Sequence, residues 1–163
     1  MIKHLKLGVP VQDIATGIKG VLSLLRIQQD LRIDYLLQPS ALSADDGLPL
    51  KQIWLVGERV KGGEFTARAF PTAVLGADAR DSVTGYRGVA TAIYLYQSGC
   101  LHVELQPKGL IKGNIIAPLD FYVGRIISKA LEVKSDEEKE VEKEKRPSPG
   151  VFVNPTPRSP SVQ

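Results

Sequence analysis

One cysteine in 163 residues, Cys100, leaves nothing for an intramolecular disulfide and excludes a zinc site made of several cysteines. Histidine is nearly as scarce, with two residues, and there is one tryptophan and one methionine. No apolar run approaches the ~20 residues that a membrane-spanning helix needs, and the first dozen residues lack the apolar stretch of a signal peptide. The expectation is a soluble chain of a reducing compartment, with no membrane association. Charge of one sign is also missing: 21 Lys and Arg stand against 18 Asp and Glu, a net +3. No basic stripe of the kind nucleic-acid binders carry interrupts that balance. A nucleophile motif, a phosphate loop and metal-ligand spacing of the recognised kinds are absent too, so neither an enzyme nor a cofactor is expected.

What the chain does have is an internal repeat. Shifted by 68 residues, it matches itself without a gap at 11 of the 36 positions from 8 to 43. Gly8, Asp13, Thr16, Gly17 and Gly20 fall on Gly76, Asp81, Thr84, Gly85 and Gly88, and Gln38-Pro39 falls on Gln106-Pro107. At the same spacing Trp54 meets Tyr122. The Asp-x-x-Thr-Gly-x-x-Gly unit is turn chemistry: a carboxylate that bonds nearby backbone N–H groups, and glycines that take φ > 0 without strain. Asp13, Thr16, Gly17 and Gly20, with Asp81, Thr84, Gly85 and Gly88, are therefore expected to build turns rather than active sites.

Between the turns the pattern alternates with period two. Leu101, Val103 and Leu105 share one face, as Ile33, Tyr35 and Leu37 do in the first copy. Strands at 21–28 and 89–96 precede them, joined through hairpins at 29–31 and 97–99, and further apolar segments lie at 52–56 and 119–123. Parity on the 89–96 strand assigns Val89, Thr91, Ile93 and Leu95 to the core, and Ala90, Ala92, Tyr94 and Tyr96 to the opposite face. In the first copy that outer face carries Leu22, Leu24, Arg26 and Gln28. The expected fold is all-β: two small curled sheets or barrels of the Src-homology-3-like kind at 1–60 and 76–128. A linker joins them at 61–75, and a charged, proline-rich tail follows at 129–163. A helix over 126–145 is compatible with the pattern. The tail holds too little apolar residue to offset ordering entropy.

The repeat unit, read with Tyr94-Leu95-Tyr96, Gly99-Cys100 and Leu105-Gln106-Pro107, resembles small β-domain proteins of tailed bacteriophages and prophages. The resemblance covers most of residues 5–127 and is fullest in the second copy. It implies a virion accessory or assembly protein in the virion or the host cytoplasm. Such a protein would work by contact with a phage or host protein, or as a homo-oligomer. Tyr86, Tyr94 and Tyr96 are the interface candidates, because tyrosine combines rigid apolar area with a polar tip. The rival reading is an intracellular module for nucleic acid or a nucleotide, acting in host takeover or against host defence. Arg26, Arg32, Arg80, Arg87 and Lys108 beside the tyrosines would serve it. Cys100-x-His102-x-Glu104 is the sharpest candidate for metal chemistry, but Arg32, Asp34 and Leu36 stand at those places in the first copy, and no metal is expected.

Overall fold

The structure, a computed structural model, describes residues 1–111 and 113–132. Residues 133–163, most of the expected tail, lie outside the described residues. The chain is all-β. The strands are β1 (Ile2–Leu5), β2 (Pro10–Asp13), β3 (Lys19–Gln28), β4 (Ile33–Pro39), β5 (Ile53–Val56), β6 (Val60–Lys61) and β7 (Phe65–Arg68). After them come β8 (Asp78–Asp81), β9 (Arg87–Tyr96), β10 (Leu101–Gln106), β11 (Leu110–Ile111), β12 (Asn114–Ile115), β13 (Leu119–Tyr122) and β14 (Ile126–Ile127). The helix expected from 126 does not start there, because Ile126 and Ile127 pair with Asp81 and Arg80 as strand. One helical turn occupies residues 129–132, and the rest of that expected helix falls outside the described residues.

The repeat found in sequence recurs in register. Val11 faces Gly20 as Ala79 faces Gly88, and Ile27 faces Ile33 as Leu95 faces Leu101. Both hairpin loops span three residues and end in the left-handed region, at Leu31 (φ 64°) and Gly99 (φ 88°). That is the expected form for a three-residue connection. The close strand crossing that each second glycine allows is also shared. A β-carbon on Gly20 would lie 2.1 Å from the Gln38 carbonyl oxygen, and one on Gly88 2.5 Å from that of Gln106. The 68-residue shift fails only after the loop following Pro39 and Pro107, which is two residues shorter in the second copy. Leu36 pairs with Trp54 and Glu104 with Asp120, so Trp54 corresponds to Asp120, and Val56, not Trp54, corresponds to Tyr122.

The two repeats are joined through their sheets. The first half of β3 pairs with β2 along one edge, and its second half pairs along that edge with β9. The six central strands thus run β5-β4-β3-β9-β10-β13 in antiparallel order, while β6, which follows β5 after one 3-10 turn, pairs with β2, and β14 likewise with β8. In the β3–β9 ladder Leu25 faces Leu95, Arg26 faces Tyr94 and Ile27 faces Ile93. Arg26 and Tyr94 are each other's equivalents under the 68-residue shift, so a pseudo-two-fold axis passes between them. The two copies join as the subunits of a symmetric dimer would. One cluster of buried residues includes Leu22, Leu25, Ile27, Tyr35 and Leu37 from the first copy and Ile93, Leu95, Val103 and Leu105 from the second. A unit of about 60 residues is marginal alone, and the shared core removes that difficulty. Residues 61–75, expected as linker, are structured: β7 pairs with β1, and Val74 is fully buried.

Parity along β3 and β9 breaks in mid-strand. Leu24 pairs with Leu36 but Leu22 with Leu37, leaving Ser23 as a bulge. Ala92 pairs with Glu104 and Ala90 with Leu105, leaving Thr91 in the equivalent place. One extra residue turns the side chains before it to the other face. Leu22 and Ala90, assigned outward from the alternation, are core residues with no exposure, while Val89 and Thr91, assigned inward, are half-exposed.

Candidate interaction face

Each Asp-x-x-Thr-Gly turn is closed by an arginine that sequence spacing did not reveal. Arg59 donates Nε to Asp13 Oδ1 at 3.0 Å and Nη2 to Oδ2 at 2.6 Å, while Thr16 Oγ1 donates to Oδ2 at 2.5 Å. Arg125 and Thr84 treat Asp81 in the same way, at 2.7, 2.5 and 2.6 Å. Both carboxylates are fully buried. The Arg59 guanidinium, helped by Thr16, holds the Asp13 carboxyl at about 2, against an ordinary 3.8; Arg125 depresses Asp81 likewise. Arg59 and Arg125 are 66 residues apart, so they align only once the two-residue difference in the preceding loop is admitted. Every carboxylate oxygen of these turns accepts a bond from its own arginine, which makes them structural clasps.

The outer side of the central sheet is where the two copies differ. Across its middle runs a row of cross-strand neighbours: Val56, Asp34, Arg26, Tyr94, His102 and Tyr122. Arg26 donates to Asp34 at 2.8 Å and lies 4.4 Å from the centre of the Trp54 ring, a cation–π distance. Gln28 also donates to Asp34. The Tyr94 hydroxyl donates to Glu104 at 2.6 Å, where Thr91 Oγ1 adds a second bond at 2.6 Å. Burial, and then the Glu104 carboxylate, push the Tyr94 phenol above its ordinary value. Tyr96 donates to Asp120 at 3.1 Å and packs on His102 at 4.9 Å, while His102 Nδ1 lies 2.7 Å from Asp120.

On either side of that row the copies part. Trp54, Leu36, Leu24 and Tyr96 are successive cross-strand neighbours and form an apolar corner. Their pseudo-symmetric equivalents Asp120, Glu104, Ala92 and Gln28 form a polar one. A cleft of about 380 Å³ opens at the polar corner, lined by Gln28, Thr91 and Glu104 among others. The exposed aromatics of this face are Trp54 (39% exposed) and Tyr122 (51%), residues singled out in sequence only as repeat markers.

Of the expected interface tyrosines, Tyr94 and Tyr96 lie on this face but half-buried, their hydroxyls bonded within the protein. Tyr86 lies apart from them, tilted on Phe121 at 5.2 Å and packed against the core. Cys100, His102 and Glu104 do not converge, and among the described residues no three His, Cys, Asp or Glu side chains are placed to hold a metal ion. The basic residues expected beside the tyrosines are divided. Arg26 and Arg32 face Asp34, whereas Arg80, Arg87 and Lys108 line a different cleft, at the other end of β9. No helix among the described residues is long and apolar enough to cross a membrane. No family model, curated protein or solved structure matches this chain.

Proposed function

We propose that this chain is a non-enzymatic module that works by protein–protein contact, in the manner of a phage structural or assembly accessory protein. The docking surface is the apolar corner Trp54–Leu36–Leu24–Tyr96. One observation carries the reading: a duplicated sheet keeps its core and both clasps, yet one corner of its outer face is apolar and the equivalent corner acidic. Packing does not demand that difference, since neither corner faces the shared core; a partner that approaches one side does. Truncating an aromatic at the centre of an interface typically costs about 2 kcal/mol or more, roughly thirtyfold in affinity. Trp54→Ser is therefore expected to lose a partner that Asp120→Asn, at the equivalent position, retains. Quantitative mass spectrometry of pull-downs with the two variants, together with a search for the chain in purified virions of a source phage, tests this. A prey list that Trp54→Ser leaves unchanged sinks the docking surface.

A further inference from the structure

A cleft of about 870 Å³ lies on the second repeat. Its lining includes the small or apolar Ala77, Ala79, Gly88, Pro107, Ile127 and Ala130, the cations Arg80, Arg87, Lys108 and Lys129, and the carboxylates Asp78 and Glu132. In the first repeat Val9 and Val11 stand where Ala77 and Ala79 do, and the chain crosses directly over them. A methyl group on Gly63 would lie 3.2 Å from Val11 Cγ1, 3.3 Å from Leu5 Cδ2 and 3.6 Å from Val9 Cγ2. In the second repeat the chain is instead held off as it leaves β14: Ser128 Oγ donates to the Asp78 carbonyl oxygen at 2.9 Å, and the helical turn at 129–132 forms the far wall. Smaller lining residues and a diverted chain set this part of the second repeat apart from the first.

Its four cations outnumber its two carboxylates, Asp78 and Glu132. Lys108 is paired with Asp78 at 2.6 Å. Arg80 and Arg87 face each other across β8 and β9, so two like charges sit side by side, an arrangement that costs energy unless an anion lies between them. We infer that this cleft binds an organic anion with a compact apolar body. The apolar part rests on Ala77 and Ala79, and the anionic group is held by Arg80, Arg87 and Lys129. A low-dielectric apolar lining beside the cations strengthens their pull on such a ligand relative to open solvent.

The probe is 8-anilinonaphthalene-1-sulfonate, which has both features, titrated by fluorescence into the full chain at low salt. The expected result is saturable binding, weakened about tenfold by Arg87→Glu and falling steeply with added salt. The double variant Ala77→Val/Ala79→Val restores the first repeat's valines and should weaken binding equally, with its fold checked by circular dichroism. Should that variant misfold, Arg87→Glu, on an exposed residue, still decides the question. Displacement by adenosine monophosphate or by decanoate then separates a phosphate on a nucleobase from a carboxylate on an aliphatic chain. Displacement by neither at millimolar concentration overturns the ligand class, and unchanged binding in both variants overturns the site. A chain ending at residue 132 should bind the probe as the full chain does. A severalfold gain on that truncation would make the acidic run Asp136-Glu137-Glu138 the occupant and overturn the proposal.

Discussion

Leu31 adopts φ 64°, a conformation its equivalent Gly99 takes without penalty. The left-handed region costs an L-residue roughly 1–2 kcal/mol, and glycine returns about 0.5–1 kcal/mol of that through its freer unfolded chain. Leu31 is 55% exposed, so little packing is forfeited. Leu31→Gly should therefore raise the stability by about 0.5–1 kcal/mol in urea unfolding, and a decrease would mean that the leucine packs on something that matters. At Asp13 and Asp81 the prediction concerns pH. Folding holds both carboxyls below their unfolded values, with Asp13 at about 2 against 3.8. Their contribution is thus complete above the unfolded value and is lost as pH falls through the folded one. Midpoints of urea unfolding should decline between about pH 4 and pH 2, and the double variant Asp13→Asn/Asp81→Asn, weaker at neutral pH, should show a flatter decline. A wild-type midpoint constant over that range would contradict the clasp. The clasps also show where sequence reading stopped. Asp, Thr and Gly were legible because they repeat at one spacing, whereas Arg59 and Arg125 were hidden by a loop two residues shorter in one copy.

At the scale of elements, the long strands β3, β4, β9 and β10 and their hairpins were legible because hydrophobic alternation and turn residues report them directly. Val103, Leu105, Tyr35 and Leu37 are buried as their parity requires. The bulges at Ser23 and Thr91 were not legible. Neither a glycine nor a proline marks them, and a single inserted residue silently exchanges the faces of everything before it. Gly20 and Gly88 sit where β3 meets β4 and β9 meets β10, against carbonyl oxygens that cannot yield without breaking the ladder. Replacing either by alanine should cost about 1–3 kcal/mol, an overpacking penalty, read as a lower denaturation midpoint. The crowding is worse at Gly20, so Gly20→Ala should be the more damaging of the two. An equal or opposite ranking would show that the strands part more easily than their packing implies.

For the whole molecule, which edges pair cannot be read from alternation, since parity reports faces and not edges. That is why the β3–β9 junction between the two units was not expected. The β3–β9 ladder and the common core predict that the halves hold together without a covalent link. With a protease site inserted at the exposed Ala69, beyond β7, the cleaved fragments should elute together in size-exclusion chromatography under native conditions. Each fragment alone should be unstable, since a unit that small buries too little surface when its share of the core is exposed. Separate elution of two folded fragments would show the sheet to be only an apposition of independent domains.

The pair at the pseudo-two-fold axis has a history written into it. In a homodimer of single repeats the residue on the axis must face its own copy, so arginine would oppose arginine and tyrosine would oppose tyrosine. Arg26 facing Tyr94 satisfies neither condition. A guanidinium tied to Asp34 on one side of the axis and a phenol tied to Glu104 on the other can coexist only when the two sides are encoded separately. Joining the copies in one chain freed the central residue from having to complement itself, and the apolar and acidic corners on either side extend the same freedom outward.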